Sequence, residues 1–114
     1  MQHPIRLWHA ALVGSVAGKT VILLDDLIST GTTLLRAAAA CRAAKAQHVY
    51  GAATHAVFPQ GGTDLLRRAE FDAVMVANTV PVSTAFREEA GQRLVVLDVS
   101  SLLAESIARL HGGT

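Results

Sequence analysis

Apolar residues are patterned in two ways along this chain. Residues 20–26 carry Val21-Ile22-Leu23-Leu24, apolar at every position, and then stop at Asp25-Asp26. A short continuous run of that kind predicts a parallel strand covered on both faces. From Thr32 to about Ala46 the spacing becomes helical. Leu34, Leu35, Ala38 and Cys41 form a packing stripe, and Arg36, Arg42 and Lys45 stay outside it. Arg42 and Lys45 fall near the end of that helix, where cations complement the dipole. Residues 47–57 read as a second strand, 71–77 as a third and 93–98 as a fourth. The stretch Phe58-Pro59-Gln60-Gly61-Gly62 is a loop, and Thr63 is placed to cap a short helix through Ala69. Residues 83–91 predict a loop with a short helical turn. A last helix is capped by Ser100 or Ser101. Leu103, Ile107 and Leu110 share one of its faces, and Glu105 stands four residues before Arg109.

Strands alternating with helices predict an α/β fold: a mainly parallel sheet flanked by helices and joined by right-handed crossovers. The length of 114 residues suits one domain, residues 1–114. Within it, residues 1–18 stand apart. His3-Pro4 gives the Trp8 stretch an abrupt start, and Gly14-Ser15-Val16-Ala17-Gly18-Lys19 is a turn-rich connector. This part reads as the remnant of a preceding strand and its connector.

Composition changes the picture in one respect. Hydrophobic residues make up 51% and charged residues 17%, against a usual charged share of about 25%. A small domain needs polar surface, so the deficit implies that another domain or subunit covers part of it. A homo-oligomer is the expectation. The net charge of +1 gives no electrostatic case for nucleic acid or an anionic membrane. No apolar run is long enough to span a bilayer, and the N-terminus lacks a signal-peptide core. Cys41 is the lone cysteine, set among alanines, and reads as a reduced core residue. The cytoplasm is the expected compartment.

The chemistry concentrates where the first strand meets the first helix. Ser29-Thr30-Gly31-Thr32-Thr33 offers four hydroxyls and a glycine that allows close backbone approach. A helix N-terminus at that point attracts phosphate. Asp25 and Asp26 repel phosphate, so they need another task. A carboxylate can accept hydrogen bonds from a sugar diol or hold Mg²⁺, a hard cation that prefers oxygen. Side chains alternate along a strand, so both acids can act in one site only if the strand is already turning there. Together these residues describe a site for a phosphorylated sugar. A Walker A loop is excluded at this turn because no Gly-Lys-[Ser/Thr] stands between the strand and the helix at residues 29–33. A receiver domain would need an Asp where the next strand ends in Thr54-His55.

Residues 21–33 resemble the phosphoribosyl pyrophosphate motif of the type I phosphoribosyltransferase fold: an apolar strand, Asp-Asp, two apolar residues, then a Thr/Gly-rich turn. Gly51-Ala52-Ala53-Thr54-His55-Ala56-Val57-Phe58 resembles the AATHGVF segment of ribose-phosphate pyrophosphokinases, and Ala77-Asn78-Thr79-Val80-Pro81 resembles their TNTIP. Residues 96–107 with His111-Gly112 are similar to their final strand and helix. Many members have Asp where Ser29 stands, Gly where Thr32 stands, and Ser-Gly-Pro-Ala where Pro59-Gln60-Gly61-Gly62 stands.

The resemblance implies a phosphoribosyltransferase-like fold, in which this chain corresponds to the C-terminal part of such an enzyme. It implies transfer of a pyrophosphoryl group from ATP to the C1 hydroxyl of ribose 5-phosphate, with Mg²⁺ as cofactor. Asp25 and Asp26 would hold the ribose hydroxyls or the metal, and Ser29, Thr30, Gly31, Thr32 and Thr33 the 5-phosphate. No catalytic residue is assigned within this chain. ATP would be bound only with an N-terminal half that is absent here, so the chain alone is expected to be inactive. Two other readings stay open: a small phosphoribosyltransferase, for which no segment supplies a hood over the base, and a non-catalytic regulatory subunit. His55 is either close to the site or an interface, or a packed strand-end residue. The remaining histidines and Glu88-Glu89 read as surface positions.

Overall fold

The computed structural model describes residues 14–58 and 70–113. The expectations for residues 1–13, for the loop after Phe58 and for a helix at 63–69 lie outside the described residues. Within them run β1 (Thr20–Ile28), α1 (Thr32–Ala43), β2 (His48–Ala56), β3 (Ala73–Ala77), α2 (Thr84–Ala90), a 3₁₀ turn (Gly91–Arg93), β4 (Leu94–Leu97) and α3 (Ser100–Gly112). All the strands are parallel, in the spatial order β1-β2-β3-β4. The expected α/β class with a parallel sheet flanked by helices is therefore present.

Register divides the sheet into two faces. One row runs Leu23, Gly51, Val74, Leu94, and the next on that face runs Asp25, Ala53, Val76, Val96. This face carries the core. Val49, Val74 and Val76 are sealed from solvent, with Leu34, Ala38 and Cys41 of α1, together with Phe71, in the same cluster. Gly51 allows the close approach: a Cβ there would stand 3.1 Å from both the Leu34 and Phe71 side chains. Burial raises the Cys41 thiol pKa and keeps it protonated.

The opposite face differs from expectation. Its central row is Leu24, Ala52, Met75, Val95, and Leu24 is 80% exposed and Ile22 55% exposed. The continuous apolar run predicted cover on both faces, whereas the described residues cover one. The topology supplies the reason. Right-handed crossovers that step steadily from β1 to β4 all lie on the same side of the sheet.

Boundaries moved for physical reasons as well. β1 does not turn at the acids but continues to Ile28, because Leu27 pairs with His55 and Ile28 with Ala56. α1 ends at Ala43 rather than near Ala46. Lys45 takes φ 71, and the N–H groups of Ala46 and Lys45 bond back to the carbonyls of Cys41 and Arg42 at 3.0 and 2.9 Å. That is a Schellman closure with lysine at the position where glycine is usual. Residues 83–91 contain a true helix, whose first turn is capped by the Ser83 hydroxyl accepting from Phe86 N–H at 3.1 Å. At α3 the expected serine cap is replaced. Asp98 Oδ1 accepts the Ser100 N–H at 2.8 Å, and no residue of α3 is buried.

Arg42 joins the layers. Its guanidinium donates to the carbonyls of Gln47 and Glu70 and to Asp72 Oδ2, at 2.9, 3.0 and 3.0 Å. Asp72 Oδ2 also accepts the Val49 N–H at 2.9 Å. Partial burial pushes the Asp72 carboxyl upward, but the Val49 N–H, Arg42 and His48 together outweigh it and hold it below the usual carboxylate range.

Candidate functional site

The β1–α1 connection is only Ser29, Thr30 and Gly31 long, so β1 delivers the chain straight into a helix start. Gly31 makes this possible: it takes φ 81, ψ 2, a left-handed conformation open to glycine. Its carbonyl accepts the first helical bond, from Leu35 N–H at 2.8 Å. No side chain caps α1 and no acid lies in its first turn. The Thr33 and Leu34 N–H groups therefore face outward with no partner inside the helix. The Thr30 and Thr32 hydroxyls lie 3.1 Å apart, and Thr30 Oγ1 makes a long 3.4 Å contact with Thr32 N–H.

These groups line a cleft of about 140 Å³, walled by Asp25 and residues 27–34. At about 30 Å³ per water it has room for several waters. Ser29, Thr30, Gly31, Thr32 and Thr33, all proposed from sequence, meet there. Asp25 joins them. Asp26 does not line the cleft; its N–H donates to Asp25 Oδ1 at 2.8 Å. Because β1 runs on through both acids, the pleat sends their side chains to opposite faces of the sheet. Leu27, Ile28 and Leu34, which sequence reasoning passed over, form the apolar wall.

Among the described residues no lysine or arginine lines the cleft. An anion there would be held by backbone N–H groups, hydroxyls and the positive end of α1. Asp25 would then face the part of the ligand that offers donors. Among the described residues no three His, Cys, Asp or Glu side chains gather to hold a metal. One carboxylate beside several hydroxyls suits Mg²⁺ only when water and substrate oxygens complete the shell.

The carboxyl ends of the other strands form a second polar group that sequence reasoning caught only in part, at His55. His55 Nδ1 is 2.7 Å from Thr79 Oγ1, and Thr79 Oγ1 donates to the Thr54 carbonyl at 3.1 Å. A hydroxyl has one proton. With that proton on Thr54, His55 must donate from Nδ1, which leaves Nε2 with its lone pair when the ring is neutral. Next to it, Asn78 donates to Asp98 Oδ1 at 3.1 Å and accepts the Val99 N–H at 3.0 Å. The Ser100 N–H, with smaller contributions from the Ser100 side chain and Asn78, holds the Asp98 carboxyl below its ordinary range. The Thr-His and Asn-Thr pairs at the strand ends were the available signal. A groove on the bare sheet face, lined by Leu24, Ala52, Met75 and Leu97 among others, reaches Thr54 and Asp25.

Comparison with known proteins gives the family and the fold. The family model described as phosphoribosyl synthetase-associated domain matches residues 4–114. A ribose-phosphate pyrophosphokinase of Nostoc sp. is 42% identical over 103 residues, which are 90% of this chain and 30% of the relative. One of Deinococcus radiodurans is 43% identical over 105 residues, again 90% of this chain and 32% of the relative. The crystal structure of a phosphoribosylpyrophosphate synthetase from Mycobacterium smegmatis superposes with a TM-score of 0.80 at 36% identity, covering 90% of this chain and 33% of that one. The chain thus spans about a third of the length of the proteins it matches.

Proposed function

The chain belongs to the phosphoribosyl synthetase-associated domain family, and on that premise we propose that it is the ribose 5-phosphate-binding part of a ribose-phosphate pyrophosphokinase. The observation that carries this reading is the cleft itself: an uncapped helix N-terminus, a hydroxyl-rich turn and one carboxylate, Asp25, in a parallel strand three residues before its end at Ile28. Ligands of open α/β sheets bind just beyond the carboxyl ends of the strands. The 5-phosphate sits against the Thr32, Thr33 and Leu34 N–H groups and the Ser29, Thr30, Thr32 and Thr33 hydroxyls. Asp25 accepts hydrogen bonds from the ribose hydroxyls. Asp26 lies next in β1 with its side chain on the opposite face of the sheet, so it completes the diol contact only if the end of that strand turns when the sugar enters. Mg²⁺ would be held by Asp25, and by Asp26 after such a turn, together with substrate oxygens and water; when bound it would neutralise developing phosphate charge.

In the full reaction the C1 hydroxyl oxygen attacks the β-phosphorus of ATP, the bond to the α-phosphoryl oxygen breaks, AMP leaves and the hydroxyl proton passes to solvent. This chain contributes position: it fixes the sugar so that C1 points away from the phosphate anchor. Among the described residues that line the cleft none is suited to hold ATP, and the chain alone is expected to perform no transfer. The buried, protonated Cys41 thiol suits a reducing cytoplasm.

Calorimetry tests the binding. Ribose 5-phosphate should give a saturable heat, ribose alone none, and Asp25→Ala should weaken binding at least tenfold. Equal affinity of the native chain and the variant would refute the role of Asp25, and no heat with the native chain would refute the site.

A further inference from the structure

We infer that His55 is the residue that selects the C1 hydroxyl of the sugar, resting on the ribose 5-phosphate reading of the β1–α1 cleft. In the β1–β2 ladder Asp25 pairs with Ala53 and Leu27 with His55. Paired residues of neighbouring strands share a face, and so do residues two apart in one strand. Asp25, Leu27 and His55 therefore stand on one face of the sheet, the face that carries the core, and Asp25 and Leu27 both line the cleft. His55 is one strand over from Leu27, about 4.8 Å at the usual spacing. This last row lies open: Leu27 is 47% exposed, and His55 is exposed as well.

Thr79 orients the ring. Its hydroxyl gives its proton to the Thr54 carbonyl at 3.1 Å and accepts from His55 Nδ1 at 2.7 Å. Neutral His55 thus carries a proton on Nδ1 and a lone pair on Nε2. The two nitrogens of an imidazole point in widely divergent directions. Thr79 follows β3, so Nε2 is turned away from β3, on the side where β1 and the cleft lie. Among the described residues Nε2 has no hydrogen-bond partner.

The ligand's chemistry matches that lone pair. In its ring form ribose 5-phosphate carries hydroxyl donors on C1, C2 and C3. With the phosphate at the start of α1 and the C2–C3 diol on Asp25, the C1 hydroxyl is the donor still without an acceptor. In this tautomer Nε2 only accepts. It repels a phosphate dianion, which also only accepts, and it welcomes a hydroxyl, so it belongs to the sugar end of the site. The C1 oxygen is the atom that attacks ATP in the full reaction, and His55 fixes its position.

Calorimetry on the 114-residue chain tests this with two ligands, ribose 5-phosphate and 1,4-anhydroribitol 5-phosphate, which lacks only the C1 hydroxyl. The native chain should prefer ribose 5-phosphate about fivefold, the net contribution of one hydrogen bond. His55→Ala should bind both ligands alike, with the affinity for the analogue unchanged from the native chain. Thr79→Val should also lower the preference. Its His55 reverts toward the Nε2–H tautomer, which offers a donor where the hydroxyl needs an acceptor. A native chain that binds both ligands equally, or a preference that neither substitution reduces, overturns the role of His55 and leaves the sugar-phosphate reading standing. So does an equal loss for both ligands in His55→Ala, the mark of a residue that only supports the fold. If the native chain binds neither ligand, the sugar-phosphate reading fails and the assignment of His55 falls with it.

Discussion

Arg42 Nη2 and Asp72 Oδ2 lie 3.0 Å apart, and through them the end of α1 is tied to the strand beside it. The same guanidinium holds the carbonyls of Gln47 and Glu70, and the same carboxylate oxygen holds the Val49 N–H. An exposed ion pair alone contributes little. Removing Arg42 also takes away its hydrogen bonds to two carbonyls. Arg42→Ala should therefore cost about 1–3 kcal/mol, read from urea denaturation.

The same carboxyl sets an acid limit. Its folded-state pKa lies below the ordinary carboxylate value. A depressed acid contributes stability that is full above its unfolded pKa and is lost as pH falls through the folded value. Melting temperature measured from pH 5 down to pH 2 should drop for the native chain, and Asp72→Asn should flatten the part of that fall that begins near pH 3.8. Parallel curves would show that Asp72 has no share in it.

Lys45 holds φ 71 at the close of α1. A side chain in that region costs roughly 1 kcal/mol that glycine avoids. Lys45→Gly should raise stability by about that amount, which chemical denaturation would register as a higher midpoint at unchanged slope.

How far the sequence could be read depended on whether the deciding contact was local. The helical stripe Leu34, Leu35, Ala38 and Cys41 depends on neighbours within a few turns, and the five loop residues from Ser29 to Thr33 are adjacent in the chain; both were legible. The continuation of β1 to Ile28 depends on β2, reached only after a whole helix, and Arg42 finds Asp72 thirty residues away. The helix stop at Lys45 lacked its usual cue because no glycine stands there. The bare face was misjudged because Val21-Ile22-Leu23-Leu24 has the apolarity of a strand buried on both sides, while the described residues supply only one cover.

The His55–Thr79 contact makes a claim about one proton. In ¹⁵N spectra at alkaline pH, neutral His55 should be the Nδ1–H tautomer. Thr79→Val should return it to a mixture dominated by Nε2–H. An Nε2–H tautomer in the native chain would contradict the hydrogen-bond order drawn for Thr54, Thr79 and His55.

Helix α3 should behave as a lightly held element. Ile107 is 66% and Leu110 84% exposed, and isolated helices of about this length are marginal in water. Ile107→Ala and Leu110→Ala should each change stability by less than about 0.5 kcal/mol. Val74→Ala, in the sealed core, should cost on the order of 1–3 kcal/mol. Hydrogen exchange should show α3 amides open while β2 and β3 stay protected.

The placement of phosphate at the start of α1 is tested most directly by titrating the ¹⁵N-labelled chain with ribose 5-phosphate and following each backbone amide. The largest shifts should fall on Gly31, Thr32, Thr33 and Leu34 and saturate together, with ribose alone leaving those amides still. Shifts centred elsewhere, or none at saturating sugar phosphate, would contradict a phosphate site in this loop.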